Sequence, residues 1–182
     1  MVEKLKAEYQ VDIEWRPFYL YFDTPPEGRE LSDHIKRARA NGSEERLRSI
    51  ANNYGMQFES TERIYNTRIA HEATEYAREQ GKGNEFHKIV FRKVYAEKQD
   101  ISNWDVLRSA AAEAGLNAEE MQREVESGKY TANVADQVQW AYQIGVTGVP
   151  TYVINDRYAV VGAQPYEVFK NALTQILNQK GE

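Results

Sequence analysis

The sequence predicts an α/β fold in which a block of helices separates a short N-terminal unit from a strand–strand–helix unit at the C-terminus. Three observations carry that reading. Val11-Asp12-Ile13-Glu14-Trp15-Arg16-Pro17-Phe18 alternates apolar and charged residues, the pattern of a strand buried on one face. Between residues 29 and 145 the apolar positions recur at helical spacing and are punctuated by Asn-Gly, Gly and Asn. Finally, Thr151–Ile154 and Tyr158–Val161 are rich in β-branched and aromatic residues, are parted by the turn signal Asn155-Asp156, and precede a helix opened by Pro165.

Taken in order, Val2, Leu5 and Tyr9 lie on one face of a helix ending near residue 9. The strand over 11–18 follows, with Trp15 inward and Glu14 and Arg16 on a solvated face. Pro17 closes it or marks an edge. Residues 19–28, with Pro25-Pro26, read as a loop. Helices are expected over 29–40, stopped by Asn41-Gly42, and from Ser43, as a capping residue with Glu44 and Glu45 in the first turn, to Gly55. Residues 56–65 are extended or irregular. Further helices run from Asn66 to Gln80, from Asn84 to about Lys98, from a cap at Asn103 or Ser102 to Ala114, from Asn117 to Ser127, and from Tyr130 to Ile144. The expected division is residues 1–28 with 146–182 as one domain and 29–145 as a helical insertion.

Composition narrows the function classes. The net charge of -5 is spread along the chain, so neither a nucleic acid nor an anionic membrane is an expected partner. The first residues form a charged amphipathic helix without an apolar centre, and we expect a cytoplasmic protein. There is no cysteine, so the chain holds no disulfide, thiolate nucleophile or thiolate metal site. His34, His71 and His87 are too widely spaced for a metal-ligand motif, and no cofactor is expected.

The run Gly148-Val149-Pro150-Thr151, then Asp156-Arg157-Tyr158-Ala159-Val160, Gly162-Ala163-Gln164-Pro165 and Val168-Phe169, resembles the DsbA family of thioredoxin-fold thiol-disulfide oxidoreductases. Within that family it is similar to the FrnE-like branch of dithiol-disulfide oxidoreductases and isomerases. Trp15-Arg16-Pro17-Phe18 and Asn66-Thr67-Arg68-Ile69-Ala70-His71 match stretches of that branch. The resemblance implies a thioredoxin fold with an all-helical insertion and a cis bond before Pro150. It also implies that Val149 and Pro150, flanked by Thr147 and Gly148, bind an extended peptide or unfolded protein through the backbone, a form of strand addition. Neither side chain is a nucleophile. Glutathione is a second candidate ligand. His71 is a candidate base, although a lone histidine is more often a hydrogen-bonded structural residue. Gln164 is a candidate brace for the last helix, beside Pro165. The tyrosines at 19, 21, 65, 142, 152 and 158 read as core rather than as the lining of a groove.

In the resembled family a first strand runs into a C-x-x-C motif at the start of the first helix, where the helix dipole stabilises a thiolate. This sequence starts inside what matches that helix, so the first strand, about 20 residues with its turn by typical element lengths, is expected to be missing. That strand would lie between the strand at 11–18 and the strand at 151–154. Three arrangements are open: a start placed too late in the gene, a strand exchanged within a homodimer, or a segment such as Met56–Ile64 filling the gap. The chain as given is expected to be inactive in disulfide exchange. Two other functions are compatible with the residues. Kappa-class glutathione transferases and 2-hydroxychromene-2-carboxylate isomerases share the fold and use serine in place of cysteine. They carry Trp-Gly near the final hairpin, however, where this chain has Val-Gly-Ala-Gln-Pro. A non-catalytic peptide-binding module is the third.

Overall fold

The computed structural model describes residues 2–179, which form two compact units. One comprises the chain up to Leu20 together with the residues from Val138 onward; the other comprises Tyr21–Gln137. Both joins fall earlier than residues 28 and 145, and local contacts explain why. The 21–28 loop is tied to the helical unit: the Thr24 carbonyl accepts from Asn66 Nδ2 at 2.7 Å, and a Cβ at Gly28 would stand 2.6 Å from the Ile64 carbonyl oxygen. At the other join, Arg16 lies over the Trp140 ring at 4.4 Å and the Phe18 ring sits 5.0 Å from that of Tyr142.

The first unit opens with α1 (Val2–Glu8) and an extended segment over residues 10–20. It then takes up the second half of α8 (Thr131–Gln143), the hairpin β3 (Thr151–Ile154) and β4 (Tyr158–Val161), and α9 (Tyr166–Gln179). The register of the hairpin runs from Thr151↔Val161 to Ile154↔Tyr158. Asn155 and Asp156 both take positive φ (52° and 53°) in its turn; Asn and Asp tolerate that region better than other side-chain-bearing residues. Tyr152, Ile154 and Val160 turn one face of the hairpin onto a core of Leu5, Phe169 and Leu173.

Here the structure corrects one expectation. Residues 11–18 form no strand. Burial alternates as far as Glu14, but among the described residues the segment belongs to neither sheet, and β3 pairs only with β4. A strand exists by exchanging backbone hydrogen bonds with a neighbour, and alternation supplies a face without supplying the neighbour. Trp15, expected in the core, is 37% exposed, and Pro17 is buried instead.

The second unit is helical. The expected helix over 29–40 begins later, because Arg29–Glu30 (β1) pairs antiparallel with Arg63–Ile64 (β2). Those residues therefore do not fill the gap beside β3. Ser32 caps α2 (Asp33–Ala38), accepting from the Ile35 N–H at 3.4 Å. A widened turn, Arg39–Ser43, links it to α3 (Glu44–Asn53), with Gly42 at φ 84°. Ser43 does not cap α3 through its side chain; its hydroxyl donates back to the Ala38 carbonyl at 2.7 Å. The remaining helices are α4 (Arg68–Glu79), α5 (Gly83–Tyr95), α6 (Trp104–Glu113), α7 (Ala118–Glu126) and the first half of α8. Asn103 and Asn117 cap α6 and α7 as the sequence predicts. Ala73, Tyr76, Phe86, Leu107, Ala110 and Met121 sit at the centre of the α4–α7 core. No helix among the described residues is long and apolar enough to cross a membrane.

Candidate functional site

In the first unit, α8 ends at Gln143, Gly145 turns the chain at φ 82°, and residues 146–150 carry it to β3. The Thr151 hydroxyl donates to the Gly148 carbonyl at 2.7 Å, which closes the loop on itself. Beyond the last register pair, the Gly162 N–H donates to the Pro150 carbonyl at 2.8 Å. Gln164 Nε2 donates to the Val161 carbonyl at 2.9 Å, and its backbone N–H to the Gly162 carbonyl at 2.9 Å. Thr147, Gly148, Val149, Pro150 and Gln164 are thus gathered at one end of the hairpin. The Val149–Pro150 bond is cis, and Val149 is 51% exposed. None of these five side chains carries a thiol, an imidazole, a carboxyl or an amine.

The segment that matches Trp-Arg-Pro-Phe lies on the second half of α8. Besides the Arg16–Trp140 and Phe18–Tyr142 contacts, the Tyr142 hydroxyl donates to the Tyr19 carbonyl at 2.7 Å. Arg16 also pairs with Glu14 at 3.1 Å.

His71 belongs to the second unit, on α4, and is half-buried. Burial, with His87 as a smaller influence, pushes its imidazole down to about 4. His87 is likewise lowered to about 4 by burial and, less, by Lys88. An imidazole depressed this far is a weak proton acceptor at neutral pH. Asn66 explains itself locally: its Oδ1 accepts from the Arg68 N–H at 2.9 Å at the start of α4.

One group of polar residues has no counterpart among the candidates drawn from the sequence. Glu72 and Glu75 of α4 are buried, at 1% and 6% exposure. With Glu79 they accept hydrogen bonds from residues 129–137. The spacing i, i+3, i+7 on one helical face was the available signal, but it reads more naturally as a solvated face. No group of three or more His, Cys, Asp or Glu placed to hold a metal occurs among the described residues.

Residues 1–174 match the family model of the DSBA-like thioredoxin domain. The uncharacterized protein YwbO of Bacillus subtilis (strain 168) is 28% identical over 181 residues, covering 98% of this chain and 88% of that protein. The crystal structure of the probable DsbA oxidoreductase SCO1869 from Streptomyces coelicolor superposes with a TM-score of 0.81 at 27% identity, over 90% of this chain and 74% of that one. A 2-hydroxychromene-2-carboxylate isomerase structure superposes with a TM-score of 0.78 over 99% of this chain and 88% of its own; at 18% identity that is a likeness of fold. The chain therefore belongs to the DSBA-like thioredoxin domain family.

Proposed function

We propose that residues 1–182 are the substrate-holding part of a FrnE-like dithiol-disulfide oxidoreductase or isomerase, taking an extended peptide or unfolded protein at Thr147–Pro150. Disulfide exchange needs an attacking thiolate, and these residues include no cysteine. The proposal therefore gives this chain the binding step and leaves the exchange to a dithiol outside it. The observation that carries the reading is the half-exposed Val149 in a loop braced from both sides, by Thr151 and by Gly162, at the mouth of a two-stranded hairpin. Backbone groups held in this way are suited to strand addition.

The test is a titration of isotope-labelled protein with a cysteine-free, extended, apolar peptide, followed by amide chemical shifts. Shifts are expected at Thr147, Gly148, Val149, Thr151 and Gly162. Saturable shifts confined to other residues, or none, would defeat the proposal. The missing cysteine also supports a second reading, a peptide-binding module with no redox step. The two separate on whether thiol-dependent turnover appears when an upstream C-x-x-C is supplied in frame.

A further inference from the structure

We propose that Asn41-Gly42, in the joint between α2 and α3, is a self-modifying site at which Asn41 turns into aspartate and isoaspartate. The Gly42 backbone nitrogen attacks the side-chain carbonyl carbon of Asn41. The new N–C bond closes a succinimide ring, the attacking nitrogen gives its proton to solvent, and the side-chain nitrogen leaves as ammonia. Water then adds to one of the two ring carbonyls and cleaves its bond to the nitrogen. Cleavage at the former side-chain carbonyl gives aspartate. Cleavage at the main-chain carbonyl routes the backbone through the β-carbon, as isoaspartate. Water is the only co-reactant, and nothing is oxidised or reduced.

Both sequence and surroundings single out Asn41. It is the only asparagine in the chain followed by glycine, and a glycine leaves the attacking nitrogen unshielded and its backbone free to turn. Gly42 stands at φ 84°, and a Cβ placed on it would meet nothing within 4 Å, so the approach is open. Asn41 is exposed, and among the described residues no hydrogen bond holds its carboxamide. Other asparagines are committed. Asn66 Nδ2 donates to the Thr24 carbonyl at 2.7 Å while its Oδ1 accepts from the Arg68 N–H at 2.9 Å. The Oδ1 atoms of Asn103 and Asn117 accept from the N–H groups of Asp105 at 2.8 Å and Glu120 at 3.1 Å. Asn133 Oδ1 accepts from Gln137 Nε2 at 2.6 Å. Asn155 is followed by Asp156, whose side chain crowds the nitrogen that would attack.

Little holds this joint closed. Asn41 stands at φ −85° and ψ 16°, off helical values, and attack needs that ψ to turn, which the joint allows only by opening locally. Neither α2, with six residues, nor the turn Arg39–Ser43, with five, contains a buried residue. A helix this short has little stability of its own, and a stretch without buried contacts opens at low cost. One side-chain bond spans the joint, from the Ser43 hydroxyl to the Ala38 carbonyl at 2.7 Å, and a single hydrogen bond is a modest hold. The product sets a new carboxylate beside Arg39, which already bonds the Thr61 carbonyl at 2.8 Å and lies 4.0 Å from Glu44. Isoaspartate also lengthens the link between α2 and α3 by one backbone carbon.

Peptide mapping by mass spectrometry tests this, on native protein held in warm neutral buffer made with heavy-oxygen water. The peptide holding Asn41 should gain the mass of an amide-to-acid change with one heavy oxygen, and should resolve into aspartate and isoaspartate forms. Peptides holding Asn103 and Asn117 should stay unchanged over the same period. Conversion at Asn41 in the native chain should run within about tenfold of its rate in the urea-unfolded chain. Gly42→Ala should slow conversion by about tenfold or more in the unfolded chain, where the strain of alanine at that φ plays no part. Conversion confined to the unfolded chain, equal conversion at Asn103 or Asn117, or an undiminished rate in Gly42→Ala would each overturn the proposal.

Discussion

The Gly162 N–H reaches the Pro150 carbonyl at 2.8 Å, one step past the final register pair Thr151↔Val161. That bond fastens the loop before β3 to the connection after β4. Gly162 makes it at φ 84°, in the left-handed region. A Cβ there would meet nothing closer than Gln164 Nε2 at 3.6 Å, an ordinary contact. Gly162→Ala is therefore expected to cost about 1–2 kcal/mol through backbone strain alone, read as a lower urea midpoint with an unchanged slope. Under the proposed function it should also weaken peptide binding.

Tyr142→Phe removes the hydroxyl that donates to the Tyr19 carbonyl and leaves the ring on Phe18. The expected loss is about 0.5–1.5 kcal/mol, with faster protease cleavage within residues 10–20. Arg16→Ala should add about 0.5–1 kcal/mol through loss of the stacking on Trp140. If cleavage in 10–20 is unchanged in the double variant, these contacts do not hold the segment.

The two depressed histidines set a pH dependence. Above about pH 6.5 His71 and His87 are neutral in both folded and unfolded chains, and they contribute nothing to it. Between about 6.5 and 4 the unfolded chain binds protons that the folded chain refuses, so stability falls as pH falls; below about 4 the effect levels off. Urea midpoints measured from pH 7 to 5, above most carboxylate titration, should decline. His71→Leu should flatten that decline; an identical slope in the variant would remove His71 from the account.

Purified protein of this sequence should leave the dithiothreitol-driven precipitation of insulin at its uncatalysed rate, because no residue can form the mixed disulfide. Turbidity growth with and without protein is the comparison. Acceleration by cysteine-free protein would contradict the division of labour proposed above.

The parts of the fold that could be read from the sequence are those whose causes are local. Asn155-Asp156 can take the hairpin turn with no help from elsewhere, and Asn103 and Asn117 cap their helices from within the same turn. What escaped depends on partners distant in sequence. Arg29–Glu30 is a strand only because Arg63–Ile64 lies beside it, and the alternation of 11–18 does not bring that segment into either sheet of the described residues. Ser43 had the right side chain for a cap, but the helical backbone continues through it and its hydroxyl turned back to Ala38. The loop residues 147–150 could be picked out by motif, whereas the burial of Glu72 could not, since nothing in the α4 sequence announces Thr131 as its partner.

Both ends of the described chain belong to the same unit, and they meet there: the Tyr166 hydroxyl donates to Glu8 at 2.6 Å, Lys4 lies 3.9 Å from the centre of the Tyr166 ring, and Leu5 shares a core with Phe169 and Leu173. A pulling force applied at the two termini is borne first by these contacts between α1 and α9. The helical unit, spliced in between Leu20 and Val138, carries no load until they and the contacts of residues 16–19 with Trp140 and Tyr142 part. Stretched end to end, the molecule should yield in two steps, a short extension as α1 separates from α9 and a longer one as residues 21–137 unravel.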